Sequence, residues 1–208
     1  MMKRYIPAAA LAALTVALFA IAFATTAGPN NFGTFASDGL GNAIWSVPSR
    51  ATSSDDSRTQ TLFDSPGQTS DALECYTAGF SLPAASVQGI LIEVERSATA
   101  ASQVSDAVVN IRKADGTYGS ANKGQGGTWP TTDAYTSYGG ASDVWGLTWT
   151  DTDINDADFG FRISCVSGDA SQGRIDHCRI TVYYTATPAG GNKRIIGLSQ
   201  TRSVTLFR

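Results

Sequence analysis

Apolar and polar residues alternate along two stretches of the chain. Val87-Gln88-Gly89-Ile90-Leu91-Ile92-Glu93-Val94-Glu95-Arg96 settles into alternation toward its end, and Val104 to Lys113 repeats it, with Val109 and Ile111 on one parity and Asn110 and Arg112 on the other. A period of two sends successive side chains to opposite faces, so both runs read as strands with one dry and one wet face. Asp115-Gly116 supplies a turn after the second. Further strands are expected at Ala43 to Pro48, Thr61 to Phe63, Leu73 to Phe80, Asp143 to Thr150, Phe159 to Val166 and Ile175 to Thr185. The last should be central, because Ile180, Val182 and Tyr184 leave it little wet face.

Between these runs the chain is rich in Gly, Ser, Thr, Asp and Gln. Residues 25–42 read as an extended lead-in, 49–72 and 117–142 as loops, and Asp151 to Asp158 as a turn or a single helical turn. No apolar stripe at i, i+3, i+4 spacing occurs between residues 28 and 187, so no substantial helix is expected there. Short strands joined by turn-rich loops define an all-β fold, an antiparallel β-sandwich of jelly-roll type.

The first 27 residues differ from this pattern. Lys3 and Arg4 precede an uncharged apolar run from Tyr5 to Ala24, and Ala22-Phe23-Ala24 has the small-x-small form of a signal-peptidase site. A hydrophobic leader helix is expected, either a cleaved signal peptide or a membrane anchor, since about 20 apolar residues also suffice to span a bilayer. The sandwich is assigned to residues 28–187, and residues 188–208 form a basic tail after Pro188. An exported protein on a cell or virion surface is the expectation, touching a membrane only through an uncleaved leader.

Charge is unevenly placed. The chain holds 15 bases and 18 acids; two bases lie in the leader and four (Lys193, Arg194, Arg202, Arg208) in the tail, leaving nine against all 18 acids in the body. An acidic body lacks the clustered Lys and Arg that phosphate binding needs, which excludes nucleic acid as a partner. In the tail, Ile195, Ile196 and Leu198, then Val204 and Leu206 alternating with polar residues, form a segment able to pair with an exposed sheet edge. Its bases would be attracted to the acidic body of another copy.

Several segments in order carry a resemblance: Phe80-Ser81-Leu82-Pro83, Val87-Gln88-Gly89-Ile90 into Glu93-Val94-Glu95-Arg96, Tyr138-Gly139-Gly140, Asp143 to Thr150, Asp153-Ile154-Asn155, Phe159-Gly160 and Ile180 to Thr185. Together, over about residues 73–185, they resemble a family of β-sandwich proteins from phage genomes, prophages and bacterial exported proteins. The resemblance implies a compact sandwich on a particle or cell surface and brings no catalytic residues with it. The cysteines and the basic tail of this chain depart from that pattern.

Cys165 and Cys178 lie on two strand-like runs flanking a seven-residue polar loop, and would be within bonding reach if those runs formed a hairpin. Cys75 would then be left over. With one His and no C-x-x-C, a zinc site is not expected. Asp151, Asp153, Asn155, Asp156 and Asp158 offer oxygen ligands at alternating spacing, as a calcium loop does, but lack the sixth-position Gly and twelfth-position Glu of an EF-hand. Turn capping by these side chains is the first reading and calcium the second; no other cofactor is expected.

Aromatic residues gather at Tyr118, Trp129, Tyr135, Tyr138, Trp145 and Trp149. Flat rings either fill a core or stack on sugars. Trp145 and Trp149 share strand parity and fit the core, whereas Trp129, Tyr135 and Tyr138 fall on expected loops and are the candidate glycan-binding residues. Asp176 and His177 are adjacent and would point to opposite strand faces, which argues against an acid–base pair. Glu93 and Glu95 share a wet face with nothing in the sequence to desolvate either. No nucleophile motif accompanies them, so an enzyme is not expected. The first reading is a non-enzymatic structural or assembly protein that contacts copies of itself or a shell protein. The alternative is a glycan-binding adhesion module, and a secreted hydrolase is a distant third.

Overall fold

The computed structural model describes residues 24–187. The expectations for the leader before Ala24, and for Lys193, Arg194, Ile195, Ile196, Leu198, Val204 and Leu206 in the tail, lie outside the described residues.

Two antiparallel sheets pack face to face, as the sequence pattern predicts. β1 (Ala24–Asn31), β3 (Thr59–Phe63), β5 (Ala85–Ala98), β7 (Ala134–Gly140) and β9 (Ser171–Ala186) build the first; β2 (Thr34–Ser37), β4 (Leu73–Tyr76), β6 (Val104–Arg112) and β8 (Gly160–Ser167) build the second. Odd strands lie in one sheet and even strands in the other, so the chain changes sheet at every connection. The first sheet runs β1-β9-β5-β7 with β3 also on β9, and the second runs β2-β4-β8-β6.

β9 is central, as expected. β5 lines one side of it from Gly173 to Ala186, while β1 takes Arg179 to Thr185 on the other side, β3 takes Ser171 to Ile175, and Thr52 bridges to His177 between them. Its inward residues Ile175, Cys178, Ile180 and Val182 are fully buried with Ile90, Ile92 and Val94 of β5. Leu73, Cys75, Val109, Ile111, Phe161, Ile163 and Cys165 meet them from the second sheet, also fully buried. Each such side chain contributes about 1.5–3 kcal/mol on burial, which is the main force holding the sheets together.

Local structure departs from the sequence reading where turn chemistry competes with strand propensity. Asp143 to Thr150 is not a strand: Asp143 Oδ1 accepts the Trp145 amide at 2.8 Å, and Trp145 stands at φ +58°. Both tryptophans still enter the core, donating through Nε1 to the Ile90 and Val144 carbonyls at 2.9 Å. Ala43 to Pro48 makes only isolated bridges at Ala43 and Ser46 before a 3-10 turn over Pro48–Ala51. Conversely, the lead-in holds β1 and β2, and part of the 117–142 loop is β7. α1 (Asp151–Asn155) is the single helical turn.

The Cys165–Cys178 pairing is overturned. All three cysteines are free and buried. β8 pairs with β4 and β6 in the second sheet and β9 with β1, β3 and β5 in the first, so the two runs do not form a hairpin. Cys178 lies instead beside Cys75, whose thiol is raised well above its usual pKa by burial and by that neighbouring thiol.

Candidate functional site

The three ring candidates separate on inspection. Trp129 and Tyr138 are 1% and 2% exposed, so the loop-borne sugar platform they were expected to form is corrected. The segment carrying Trp129 lies along β6, its amide donating to the Val104 carbonyl at 2.7 Å, and Tyr138 sits on β7 opposite Ile92. Their rings enclose the guanidinium of Arg96, whose Cζ lies 5.0 and 5.6 Å from the ring centres. Arg96 forms an ion pair with the fully buried carboxylate of Asp106. Trp129 Nε1 and the Tyr138 hydroxyl both donate to that carboxylate. These rings are structural parts of a buried polar cluster. Tyr135 alone is exposed, at 37%.

The acidic stretch at 151–158 is used by the turn itself. Thr150 Oγ1 accepts the Asp153 amide while Asp153 Oδ2 accepts the Thr150 amide, a reciprocal cap, and Lys113 pairs with Asp153 at 3.0 Å. Asn155 Oδ1 accepts the Leu82 amide and its Nδ2 donates to the Leu82 carbonyl. Asp156 Oδ1 takes the Asp158 amide. Asp151, in the first helical turn, complements the helix dipole there. The capping reading accounts for Asp153, Asn155 and Asp156.

A different site lies on the outer face of the first sheet. Two adjoining hollows of about 420 and 480 Å³ share Asp56, Arg58 and Arg174. One extends over Arg50, Asp55, Ser57 and Gln60, and the other over Glu95, Ser97, Thr131, Thr132 and Asp133. The floor comes from the outward positions of β5 and β9, and the walls from the 50–58 and 131–133 segments. Arg58 Nε donates to Asp133 Oδ2 at 2.6 Å and Nη2 to Asp56 Oδ1 at 2.7 Å. Ser97 Oγ donates to Asp133 Oδ1 at 2.6 Å. Burial pushes the Asp133 carboxyl up, but Arg58 and Ser97 outweigh it and hold the group below its usual pKa.

Beside the hollows, Tyr135 on β7 shares a 2.7 Å hydrogen bond with His177 Nδ1, and Arg179 lies 4.2 Å from the centre of its ring. Arg179 holds Glu93 with two hydrogen bonds of 2.9 and 3.0 Å. Burial, then the charge of Arg179, lowers the His177 pKa. Asp176 is the extra residue of a bulge where Glu95 faces His177 and Arg96 faces Ile175. Its Oδ2 accepts the Asp55 and Asp56 amides at 3.1 and 3.2 Å.

This corner of the sheet carries an unusual concentration of unsatisfied groups. Among the described residues seven buried side-chain polar atoms lack a hydrogen-bond partner, and four of them are here: Glu95 Oε2, Arg174 Nε, Asp176 Oδ1 and His177 Nε2. Buried polar groups are normally paired, so such a cluster marks a place where water or a ligand completes the bonding. Glu93, Glu95, Asp176 and His177 were singled out in the sequence, but the loop that closes on Asp176 comes from more than 100 residues away. A bulge and a loop closure leave no periodic signal.

No protein-family model matches the chain, and no curated protein does. A solved structure, the second N-terminal cellulose-binding domain of β-1,4-glucanase C from Cellulomonas fimi, is similar over 76% of this chain and 93% of that domain, with 19% identity and a TM-score of 0.35.

Proposed function

We propose that the chain is a non-catalytic, exported carbohydrate-binding module whose sugar site is the polar groove on the outer face of the first sheet. The observation that supports this reading is the set of unpartnered buried atoms on Glu95, Arg174, Asp176 and His177, next to two open hollows. Sugar hydroxyls donate and accept at once. They suit a surface that offers carboxylate acceptors and guanidinium donors a few ångströms apart, with each unmet buried group relieving about 1–3 kcal/mol when satisfied. Tyr135 beside the hollows is a partly exposed aromatic ring, 37% exposed with Arg179 over it. Two charged pairs at this corner are already committed to each other: Glu93 to Arg179, and Asp133 to Arg58 on the wall of the hollows. Affinity electrophoresis through gels containing soluble polysaccharides tests the reading, with retardation by at least one polymer expected. Unchanged mobility across neutral and acidic polysaccharides would count against it.

One observation favours assembly as a second reading. Ile44 and Leu62, each two residues from the Ser46–Gln60 bridge, are large apolar residues left 72% and 59% exposed. Exposed large apolar side chains at the edge of a sheet are the kind of feature that contacts another molecule.

A further inference from the structure

We propose that Asp56, Asp133 and Asp176 form a calcium site at the edge of the groove, which the ion occupies in competition with the guanidinium of Arg58. The proposal is tested separately from the carbohydrate reading, since the metal alone is its probe. One ligand oxygen from each carboxylate lies within 4.8 Å of the others. Calcium binds oxygen at about 2.3–2.6 Å, so ligands on opposite sides of one ion stand at most about 5 Å apart, and these three oxygens fit around a single centre.

Proximity of acids is not sufficient, and Asp176 supplies the second observation. The residue is only 2% exposed. Its Oδ2 is satisfied by the Asp55 and Asp56 amides, but its Oδ1 is buried with no partner among the described residues. Arg58 hydrogen-bonds Asp56 and Asp133 and does not reach Asp176 in this way, so the resident cation serves two carboxylates of the three. A planar guanidinium has fixed donor directions, whereas calcium accepts irregular oxygen geometry and carries twice the charge. The donor set is all carboxylate, which suits a hard cation rather than zinc. In the 151–158 stretch, by contrast, Asp153 and Asp156 are spent on the turn and on Lys113.

The test uses the full-length chain, stripped with a chelator and titrated with calcium while melting is followed, with terbium luminescence as a direct readout of occupancy. With affinity in the range of extracellular calcium modules, about 10⁻⁴–10⁻³ M, 5 mM calcium is expected to raise Tm by about 3–8 °C. Asp176→Asn should weaken binding at least about tenfold, since it removes the one ligand with no competing partner. Arg58→Gln should tighten it by about threefold or more by removing the competitor. If Asp176→Asn fails to fold, Asp56→Asn carries the same test. Asp56 is exposed and stands at φ +64°, a conformation that Asn tolerates. The proposal is overturned if neither the wild-type chain nor Arg58→Gln responds to calcium. It is equally overturned if the response survives in the Asp56 or Asp176 variant, or is lost instead in Asp153→Asn.

Discussion

Arg96 of β5 and Asp106 of β6 form an ion pair that crosses the sandwich from one sheet to the other, with side chains 4% and 0% exposed. Trp129, Tyr138 and the Gln125 amide all donate to the same carboxylate, and Arg96 Nε donates to Thr136. Removing one partner of a buried pair strands the other, so Asp106→Asn is expected to destabilise by about 3–5 kcal/mol in a urea melt. Trp129→Ala and Tyr138→Ala should cost a similar amount, about 3–5 kcal/mol, through lost packing. A Trp129 variant that melts normally would show that the ring does not belong to the core.

In the groove the expectation is reversed. Glu95→Gln and Arg174→Gln should abolish polysaccharide retardation while changing stability by no more than about 0.5–1 kcal/mol, because neither side chain forms an ion pair among the described residues. Tyr135→Ala should weaken retardation about tenfold, the effect of losing one stacking ring. Retained binding in all three variants would move the sugar site elsewhere on the surface.

The cysteines give a simple chemical check. All three are buried and free, and burial lifts the Cys165 thiol to about 12. The native protein should leave a thiol reagent unreacted at pH 8, and the denatured protein should consume three equivalents. Reductant should leave the melting temperature unchanged. Consumption of one equivalent after denaturation would reveal a disulfide.

His177 ties stability to pH. Its pKa is lowered in the folded chain by burial and then by Arg179, so the folded state resists the proton that the unfolded chain accepts below about 6.5. Full stability is therefore present above pH 7 and declines as pH falls from about 6.5 toward the depressed folded value, with a slope of at most about 1.4 kcal/mol per pH unit. Melting at pH 7.5 and 5.5 should show a drop in the wild-type chain that is reduced in His177→Gln. Parallel curves for the two proteins would remove His177 as the cause.

For assembly, Ile44→Lys combined with Leu62→Lys should yield a monomer on a sizing column at concentrations where the wild-type chain associates. Both residues are exposed, so the melting temperature should shift by no more than about 2 °C. Monomeric wild-type protein at high concentration would dispose of the second reading.

The sandwich was legible in the sequence because burial imposes a period of two. β5 and β6 show it, and Val109 and Ile111, read as one face of β6, are fully buried. The reading failed where one side chain redirected the backbone, as Asp143 does for Trp145, and where pairing was set by distant partners, as for β1 and β7. The same locality explains the misplaced site. Trp129 and Tyr138 sit among turn residues and look solvent-bound in one dimension, yet Asp106 and Arg96 draw them inward. Cys165 and Cys178 looked adjacent because a short loop suggests a hairpin, while this chain changes sheet at every loop.

The register of β1 on β9 has a geometric result. Ala24 pairs with Thr185, so the two ends of the sandwich leave from one pole. The groove lies near Arg174 to His177, about ten residues back along β9, or roughly 33 Å at the rise of an extended strand. A body tethered through either end therefore holds the groove at its far tip, facing outward, with the whole length of the central strand as a rigid stalk between attachment and encounter.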